Sequence, residues 1–140
     1  MSDLIKYSVC FRILDDMLDP SEITGMLGIT PDRSHRKGDP NTSISKKGKL
    51  IHYSPFSKGV WIINSKEDEF AILEHHVKSI LLVLYPLKGE LTELAKRRYK
   101  MDMFCGAFIH DVDQPGFELN PNVLQQLGEL NISLGMCIYS

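Results

Sequence analysis

The residues of this chain that are best suited to hold an anion lie in a basic segment, residues 31–60. This segment contains seven Lys or Arg and two Asp, whereas the rest of the 140-residue chain contains nine bases and sixteen acids. The seven bases are Arg33, Arg36, Lys37, Lys46, Lys47, Lys49 and Lys58. A positive segment on a negative body is typical of a site for phosphate, a nucleotide or an acidic partner protein. It is also typical of a solvated loop tethered to the acidic body, which is the commoner origin of a charge run.

Five residues in and just after the basic segment have the chemistry of an anion pocket. The ligand-binding residues that we predict are Arg33, His35, Arg36, Lys37 and Trp61. Guanidinium groups beside the flexible Gly38 can grip a carboxylate or a phosphate, and an indole can form one wall of a pocket. In the competing interpretation Arg36 and Lys37 are surface charges and Trp61 belongs to the core.

Two groups of carboxylates follow apolar, strand-like runs. They are Asp15, Asp16 and Asp19 near the start, and Asp111, Asp113 and Glu118 near the end. If the strand ends met, these oxygens could hold calcium or form an acid–base pair. The first group lacks the glycine and the final glutamate of an EF-hand loop, and Asp19 is needed as a helix cap. We therefore predict no metal site.

The remaining candidates for chemistry are weak. His75 and His76 are adjacent, so on a helix they point about 100° apart and do not easily share one metal ion. The chain contains no nucleophile-elbow serine, no Walker loop and no Gly-x-Gly-x-x-Gly motif. The three cysteines, Cys10, Cys105 and Cys137, lie in apolar runs without activating charges. The sequence therefore predicts no catalytic residue and no cofactor.

The spacing of apolar residues predicts the elements that position these side chains. In chain order they are a strand over 7–13, a helix over 20–27, short strands over 50–53 and 60–63, a helix capped by Ser65 and ending near 84, a helix over 90–99, a strand over 101–109, a helix over 121–127 and a strand over 132–138. Most of residues 31–57 is interpreted as loop. The order β-α-β-β-α-α-β-α-β indicates an α+β fold, with a mostly antiparallel sheet and helices on one face, in the ferredoxin-like style.

One pattern of residues occurs twice and supports two of the helices. Asp19-Pro20 with Leu27-Gly28 near the start corresponds to Asn120-Pro121 with Leu127-Gly128 near the end. In each copy a capping side chain precedes a proline at the first helical position, and a glycine follows the last apolar residue. The repeat therefore predicts one strand–helix unit at each end of the chain.

Composition sets broad limits on the class of protein. A chain of 140 residues with 43% apolar and 24% charged residues is expected to form a single α+β domain over residues 1–140. The start of the chain does not resemble a signal peptide, and the longest apolar run, residues 80–84, is too short for a membrane span. An odd number of cysteines in apolar runs favours a reduced, cytoplasmic protein.

Several motifs together resemble a known group of proteins. They are Leu18-Asp19-Pro20-Ser21-Glu22-Ile23, Leu27-Gly28-Ile29-Thr30-Pro31, Lys37-Gly38-Asp39, Trp61 followed by Leu73-Glu74-His75-His76, and the closing stretch from Phe117 to Tyr139. In this order the motifs resemble the bacterial proteins grouped as domain of unknown function family 4279, over nearly the whole chain. The resemblance implies a small bacterial intracellular protein, and it assigns no reaction and no catalytic residue.

These observations favour a non-catalytic protein that binds another protein, in the manner of an inhibitor or an immunity protein. The alternative is a small-ligand-binding or enzymatic domain that recognises an anionic group through the bases of residues 33–58. Nucleic acid is not an expected partner, because the net charge is −2 and no aromatic residue lies among the bases before Tyr53. A membrane is not expected either, and the sequence does not specify the oligomeric state.

Overall fold

A five-stranded sheet with helices packed on one of its faces forms the body of the protein. The structure is a computed structural model and describes residues 5–140. Its elements are β1 (Lys6–Asp15), α1 (Pro20–Leu27), β2 (Arg33–His35), β3 (Asn41–Ile44), β4 (Leu50–Tyr53), β5 (Gly59–Asn64), α2 (Leu73–Leu84), a 3-10 turn (Tyr85–Leu87), α3 (Lys88–Lys96), β6 (Lys100–Phe108), α4 (Pro121–Glu129) and β7 (Ser133–Tyr139).

The large sheet is mixed but mostly antiparallel. Its strand order is β2-β5-β1-β6-β7, and every neighbouring pair is antiparallel except β6 and β7. The other two strands, β3 and β4, form a separate hairpin, residues 41–53. The predicted α+β fold with a mostly antiparallel sheet is confirmed.

The alternating side chains of β1 build the core. Tyr7, Val9, Phe11 and Ile13 are buried, and they belong to one cluster with buried side chains from all four α-helices. Burial of a large apolar side chain contributes about 1.5–3 kcal/mol, so this face of β1 holds the helices on one side. Trp61 of β5 joins the same cluster, where its Nε1 donates a hydrogen bond to Thr24 Oγ1 at 3.1 Å.

Both copies of the repeated pattern begin a helix in the predicted way. The carboxylate of Asp19 accepts a hydrogen bond from the backbone N–H of Ser21 at 3.0 Å. The side chain of Asn120 accepts one from the backbone N–H of Val123 at 3.0 Å. Gly28 closes α1 in the left-handed conformation, with a φ of 70°. Only the first copy ends at its glycine, because α4 continues to Glu129.

The helix predicted to begin after Ser65 begins later, at Leu73. Residues 65–69 run along β1 instead: the Ser65 N–H donates to the Val9 carbonyl, and the Tyr7 N–H donates to the Glu69 carbonyl. Because backbone groups of this stretch pair with β1, they do not form a helical turn. The Ser65 hydroxyl bonds His76 Nδ1 at 2.7 Å and therefore does not cap α2.

Most of residues 31–57 lies outside strands, as predicted, but two strands that the sequence did not indicate, β2 and β3, form there. Strand β2 has only three residues and β3 reads Asn-Thr-Ser-Ile, so neither shows apolar alternation. The predicted strand at residues 50–53 is present as β4, but it pairs with β3 and not with the next strand. A tight turn joins β3 to β4, with the Ser45 N–H on the Lys49 carbonyl and Gly48 at a φ of 78°.

Gly59 of β5 is predicted not to tolerate a side chain, because the end of β1 and the connection to α1 lie against it. A Cβ at Gly59 would lie 2.8 Å from the Cβ of Leu18 and 2.9 Å from the carbonyl oxygen of Asp15. We expect Gly59→Ala to lower the free energy of unfolding by about 1–3 kcal/mol, since backbone must move. Urea unfolding followed by Trp61 fluorescence measures the effect.

The matched control is Gly25→Ala in α1, where a Cβ meets nothing within 4 Å. This change should raise the free energy of unfolding by about 0.5–1 kcal/mol, because alanine favours a helix interior. Equal stability of the Gly59→Ala variant and the wild type would show that β5 does not lie this close to the connection.

Candidate functional site

The side of the sheet opposite the helices, here called the open face, carries the best candidate site. The register places its side chains in rows that run from β2 towards β7. These rows are His35, Val60, Leu14, Lys100; Arg33, Ile62, Arg12, Asp102, Ser133; Asn64, Cys10, Phe104, Gly135; Ser8, Gly106, Cys137; and Lys6, Phe108, Tyr139. Ile62 is buried on this face but lies outside the core cluster. Long side chains of the open face itself, and not the helices, therefore cover its apolar residues.

A bidentate ion pair lies at the centre of the open face. Arg12 donates from Nε to Asp102 Oδ1 at 2.9 Å and from Nη2 to Asp102 Oδ2 at 2.7 Å. The guanidinium carbon also lies 4.4 Å from the centre of the Phe104 ring. The hydrogen bonds to Asp102 raise the pKa of Arg12 above its usual value. Because both charges are satisfied by each other, this pair is structural and leaves little charge for a ligand.

A hollow of about 680 Å³ lies beside this ion pair, where β1 extends beyond β5. Its lining includes Lys6, Arg33, Asn64 and Phe104. Lys6 is 3.4 Å from Glu69. Within residues 5–140, Arg33 makes no ion pair and no side-chain hydrogen bond, so its charge is available to an anionic group.

Two aromatic rings at the edge of the open face are exposed to solvent. Phe108 and Tyr139 stack with ring centres 4.7 Å apart and planes 11° apart. Each ring keeps more than 40% of its surface exposed. The opposite end of the face is basic, since Lys58, Arg98 and Lys100 surround a shallow depression there. A face with apolar rings at one end and bases at the other suits a protein surface that offers an apolar patch and acidic groups.

Two of the three thiols on the sheet, those of Cys10 and Cys105, are not activated. Cys10 and Cys137 lie on the open face and Cys105 on the helix face, and all three are free. Burial raises the pKa of Cys10, and burial raises the pKa of Cys105 to about 12. These two thiols are therefore protonated near neutral pH and are poor nucleophiles.

His76 lies behind the hollow and is neutral at physiological pH. It is buried, and Tyr7 contacts it edge-on with ring centres 6.1 Å apart. Burial lowers the pKa of His76 below its usual value. Its Nε2 has no hydrogen-bond partner among residues 5–140, so little stabilises a second proton. His75, its neighbour in sequence, is exposed, so the two histidines face different surroundings.

The structure separates the five residues predicted to bind a ligand. Arg33 lies on the open face, whereas Trp61 is fully buried on the helix face, as the competing interpretation expected. His35 stacks on Phe56 with ring centres 3.5 Å apart, and burial lowers the pKa of His35. The Trp61 ring is therefore not available as a wall for an anion held by Arg33.

Arg36 and Lys37 follow β2, at the edge of the sheet. The Arg36 guanidinium lies 2.8 Å from the carboxylate of Asp19, the residue that caps α1. His35 and Arg36 line a hollow of about 350 Å³ at this helix start, and Lys37 is exposed to solvent. Because Arg36 and the helix start both use Asp19, this hollow already contains its anion.

The two carboxylate groups lie at opposite ends of the sheet. Asp15 ends β1, whereas Asp111 follows β6. These strands are antiparallel, so their carboxyl ends point in opposite directions. A joint metal or acid–base site is therefore not formed by them.

Sequence reasoning missed the ion pair and the exposed rings. Arg12 and Asp102 are separated by 90 positions, and only the pairing of β1 with β6 brings them together. A local signal was nevertheless present, because Arg12 and Asp102 lie in the interiors of their strands, whereas the other charged residues of β1 and β6 stand at strand ends. Phe108 and Tyr139 sit at strand ends, where alternation does not indicate which face a ring will occupy.

One of three comparisons with known proteins found a match. The sequence model of the family described as Domain of unknown function (DUF4279) matches residues 5–140. No curated protein and no solved structure matches the chain. In residues 5–140, none of the helices has the length and apolar composition that a membrane span requires.

The central ion pair predicts a large effect from a single substitution. We expect Arg12→Met to lower the free energy of unfolding by about 2–4 kcal/mol, because it leaves the buried Asp102 carboxylate unpaired. The double variant Arg12→Met/Asp102→Leu should recover most of this loss, since no charge then remains buried. Urea unfolding of both variants measures it.

The control for this prediction is Arg97→Met. Arg97 also pairs with two carboxylates, Glu22 and Glu93, but its side chain is 47% exposed. The expected loss is at most about 1 kcal/mol. Equal losses in the Arg12→Met and Arg97→Met variants would contradict a buried pair.

Acidification should destabilise the protein through His76. Its folded pKa is depressed, so its stabilising effect is present above the unfolded pKa of 6.5 and is lost as the pH falls below that value. The free energy of unfolding should therefore fall between about pH 7.5 and pH 5.5, by at most about 1.4 kcal/mol per pH unit from this one group. His76→Asn should reduce this dependence, and the exposed control His75→Gln should not. An unchanged pH profile of the His76→Asn variant would contradict the role of His76.

Proposed function

We propose that this chain, which belongs to the Domain of unknown function (DUF4279) family, is a non-catalytic module that binds an acidic surface of another protein through its open face. One observation carries the proposal: the stacked rings of Phe108 and Tyr139 are exposed on the same face as the unpaired Arg33. Exposed rings can provide the apolar part of an interface, and bases elsewhere on the same face select a negative partner.

The charges on the open face support a partner of negative sign. The central ion pair is neutral overall, so the net charge of the face comes from its margins. On these margins Arg33 lies on β2, beside the acids Asp32, Glu67 and Glu69 of the hollow. A second group, Lys58, Arg98 and Lys100, lies at the end of the face away from the rings. Asp15 and Asp16 partly offset the second group. A protein surface that spans the length of the face would meet these bases at one end and the aromatic rings at the other.

The hairpin of β3 and β4, which follows the edge strand β2 along the chain, carries further bases. Its turn carries the exposed lysines Lys46, Lys47 and Lys49. Ile44 and Leu50 are paired side by side on it and are 73% and 53% exposed. An exposed apolar pair beside three bases is suited to reach around an acidic partner.

The chemistry of the face supports binding and not catalysis. The thiols of Cys10 and Cys105 are protonated, and Arg12 and Asp102 satisfy each other. An inhibitor or immunity-type role is the form of this function that we favour, since a small single domain can act by covering the active surface of a toxin. Three free cysteines suit a reducing compartment such as the cytoplasm.

The alternative of a small anionic ligand has weaker support. Its four remaining residues, Arg33, His35, Arg36 and Lys37, diverge, and Arg36 already pairs with Asp19. A thermal-shift series with inorganic phosphate and with citrate tests this alternative. A rise in the melting temperature of the wild type that is lost in Arg33→Glu would favour it over the protein partner.

Affinity capture with matched variants tests the proposed function. The tagged wild type should retain a partner from a lysate of the native cell, and Arg33→Glu/Phe108→Ala should retain at least about tenfold less. The control Lys96→Glu changes a charge on α3, on the other side of the sheet, and should retain the partner fully. Capture should weaken at high salt, because the rim of the interface is charged.

The result that overturns the proposal is specific. If the open-face variant and the Lys96→Glu control capture the same proteins in the same amount, the open face is not the binding surface. Circular dichroism of each variant shows that the fold is retained, which is expected because Arg33 and Phe108 are both exposed.

A further inference from the structure

In the part of the chain that the structure describes, strand β7 leaves one long edge of the sheet without a partner strand. It is the last strand of the sheet, and all seven of its residues pair with β6 on the other side. Its sequence, Ser-Leu-Gly-Met-Cys-Ile-Tyr, contains no charge and no proline. Edge strands of monomeric proteins are usually short, charged or interrupted, because a regular neutral edge pairs readily with another strand.

The other edge of the same sheet shows the usual protection. Strand β2 has three residues, Arg33, Ser34 and His35, and the chain on both sides of it is rich in charge. The difference between the two edges is therefore not a general property of this sheet. It marks β7 as the edge that is suited to pairing.

The outward-facing backbone groups of β7 can be identified. The carbonyl of Tyr139 accepts a hydrogen bond from the Ile109 N–H, so Tyr139 points its backbone groups towards β6. Backbone groups alternate in direction along a strand. The residues whose N–H and C=O point away from β6 are therefore Leu134, Met136 and Ile138. Within residues 5–140 no hydrogen bond uses these outward groups.

The side chains of the same residues are also exposed. Leu134 is 41% exposed and Ile138 is 56% exposed, on the helix side of the sheet. Met136 lies between them and is half-buried. An apolar strip thus runs along the same edge as the unpaired backbone groups.

We propose that β7 pairs with β7 of a second copy of this chain, antiparallel about a two-fold axis at Met136. This interface joins the two sheets into one continuous sheet. Leu134 of each copy lies opposite Ile138 of the other, so the exposed apolar side chains cover each other. Met136 lies opposite Met136 of the second copy.

The register follows from symmetry. A symmetric antiparallel pair must match residues whose backbone groups both point outward. The axis at Met136 meets this condition and is the centre of the strand, so it uses all seven residues and forms about six backbone hydrogen bonds. We favour a second copy over a strand that carries charge. Because β7 is neutral, two copies of it pair at the axis without bringing like charges together.

The dimer would present both open faces on the same side. The two-fold axis of an antiparallel strand pair that continues a sheet is perpendicular to that sheet, so it does not turn the sheet over. Arg33 lies at the opposite edge of each sheet and stays accessible. Tyr139 lies on β7, opposite Ser133 of the second copy, but its ring is on the open face. The proposed dimer is therefore compatible with the proposed function, and it makes the binding surface bivalent.

Sedimentation equilibrium with paired charge variants tests the interface. A strand-pairing interface is small, so the wild type should dimerise with a Kd of about 1–100 μM. Leu134→Lys/Ile138→Lys should raise the Kd at least about tenfold, because lysines then lie opposite each other. Leu134→Glu/Ile138→Lys places opposite charges in the same positions and should restore dimerisation. A monomeric wild type at millimolar concentration, or equal dimerisation of both variants, would overturn the proposal.

Disulfide trapping tests the register directly. In the proposed register Gly135 lies opposite Cys137 of the second copy, in a non-hydrogen-bonded pair with Cα atoms about 4.5 Å apart, which a disulfide can span. The fold tolerates a side chain there, since a Cβ on Gly135 would touch only Phe104, at 3.8 Å. Gly135→Cys should form a covalent dimer under mild oxidation, and Gly135→Cys/Cys137→Ser should not. Absence of the covalent dimer, or its equal formation in both variants, would overturn the register.

These experiments separate the dimer from the protein-binding role. Leu134→Lys/Ile138→Lys leaves Arg33 and Phe108 unchanged, so this variant should still capture the partner as a monomer. Loss of dimerisation with retained capture is the result that we expect. If the variant stays dimeric, the proposed interface fails whatever the capture shows.

Discussion

Strand β1 is antiparallel to both of its neighbours, and over residues 6–13 it alternates between large apolar and smaller or polar side chains. Its apolar residues Tyr7, Val9, Phe11 and Ile13 attract the buried stripes of all four helices to one face. Because the period of a strand is two, the other face receives Lys6, Ser8, Cys10 and Arg12. The one-sided arrangement of helices, the uncovered sheet and the site on it all depend on this alternation.

The ion pair between Arg12 and Asp102 adds specificity to that arrangement. Removing two charges from water is costly, and their attraction offsets this cost only when the geometry is good. A bidentate pair at 2.7 and 2.9 Å meets that condition. A slip of one residue between β1 and β6 would bring Arg12 opposite a methionine and leave both charges unpaired. The pair therefore favours one register, and this register also aligns the rows of the open face.

The features that could be predicted from the sequence are those with local causes. Asp19-Pro20 and Asn120-Pro121 begin helices because a cap acts on its own next turn. The alternation of β1 and the apolar stripe of α2 are equally local. What could not be predicted depends on distant pairing: β2 has no pattern of its own and exists because β5 lies beside it.

The candidate site shows the same division. The basic charge of residues 31–60 is a property of composition, so the sequence showed it. The sequence did not show that the bases of this segment are divided between the open face, the start of α1 and the hairpin. Trp61 follows the same rule, since alternation on β5 places it opposite Ile13 in the core, away from Arg33. A pocket predicted from nearby residues fails when neighbouring positions on a strand face opposite sides.

The two repeated units explain why the edges of the sheet differ. In the first, β1 leads through α1 to β2, which runs parallel to β1 with β5 between them. In the second, β6 leads through α4 to β7, which is parallel and adjacent to β6. The first unit continues into the basic hairpin, so its edge is short, charged and interrupted. The second unit closes on a regular strand of neutral residues. The same strand–helix–strand connection has thus produced two different edges. The edge at β2 is protected and lies beside the basic segment, whereas the backbone of the edge at β7 can still pair.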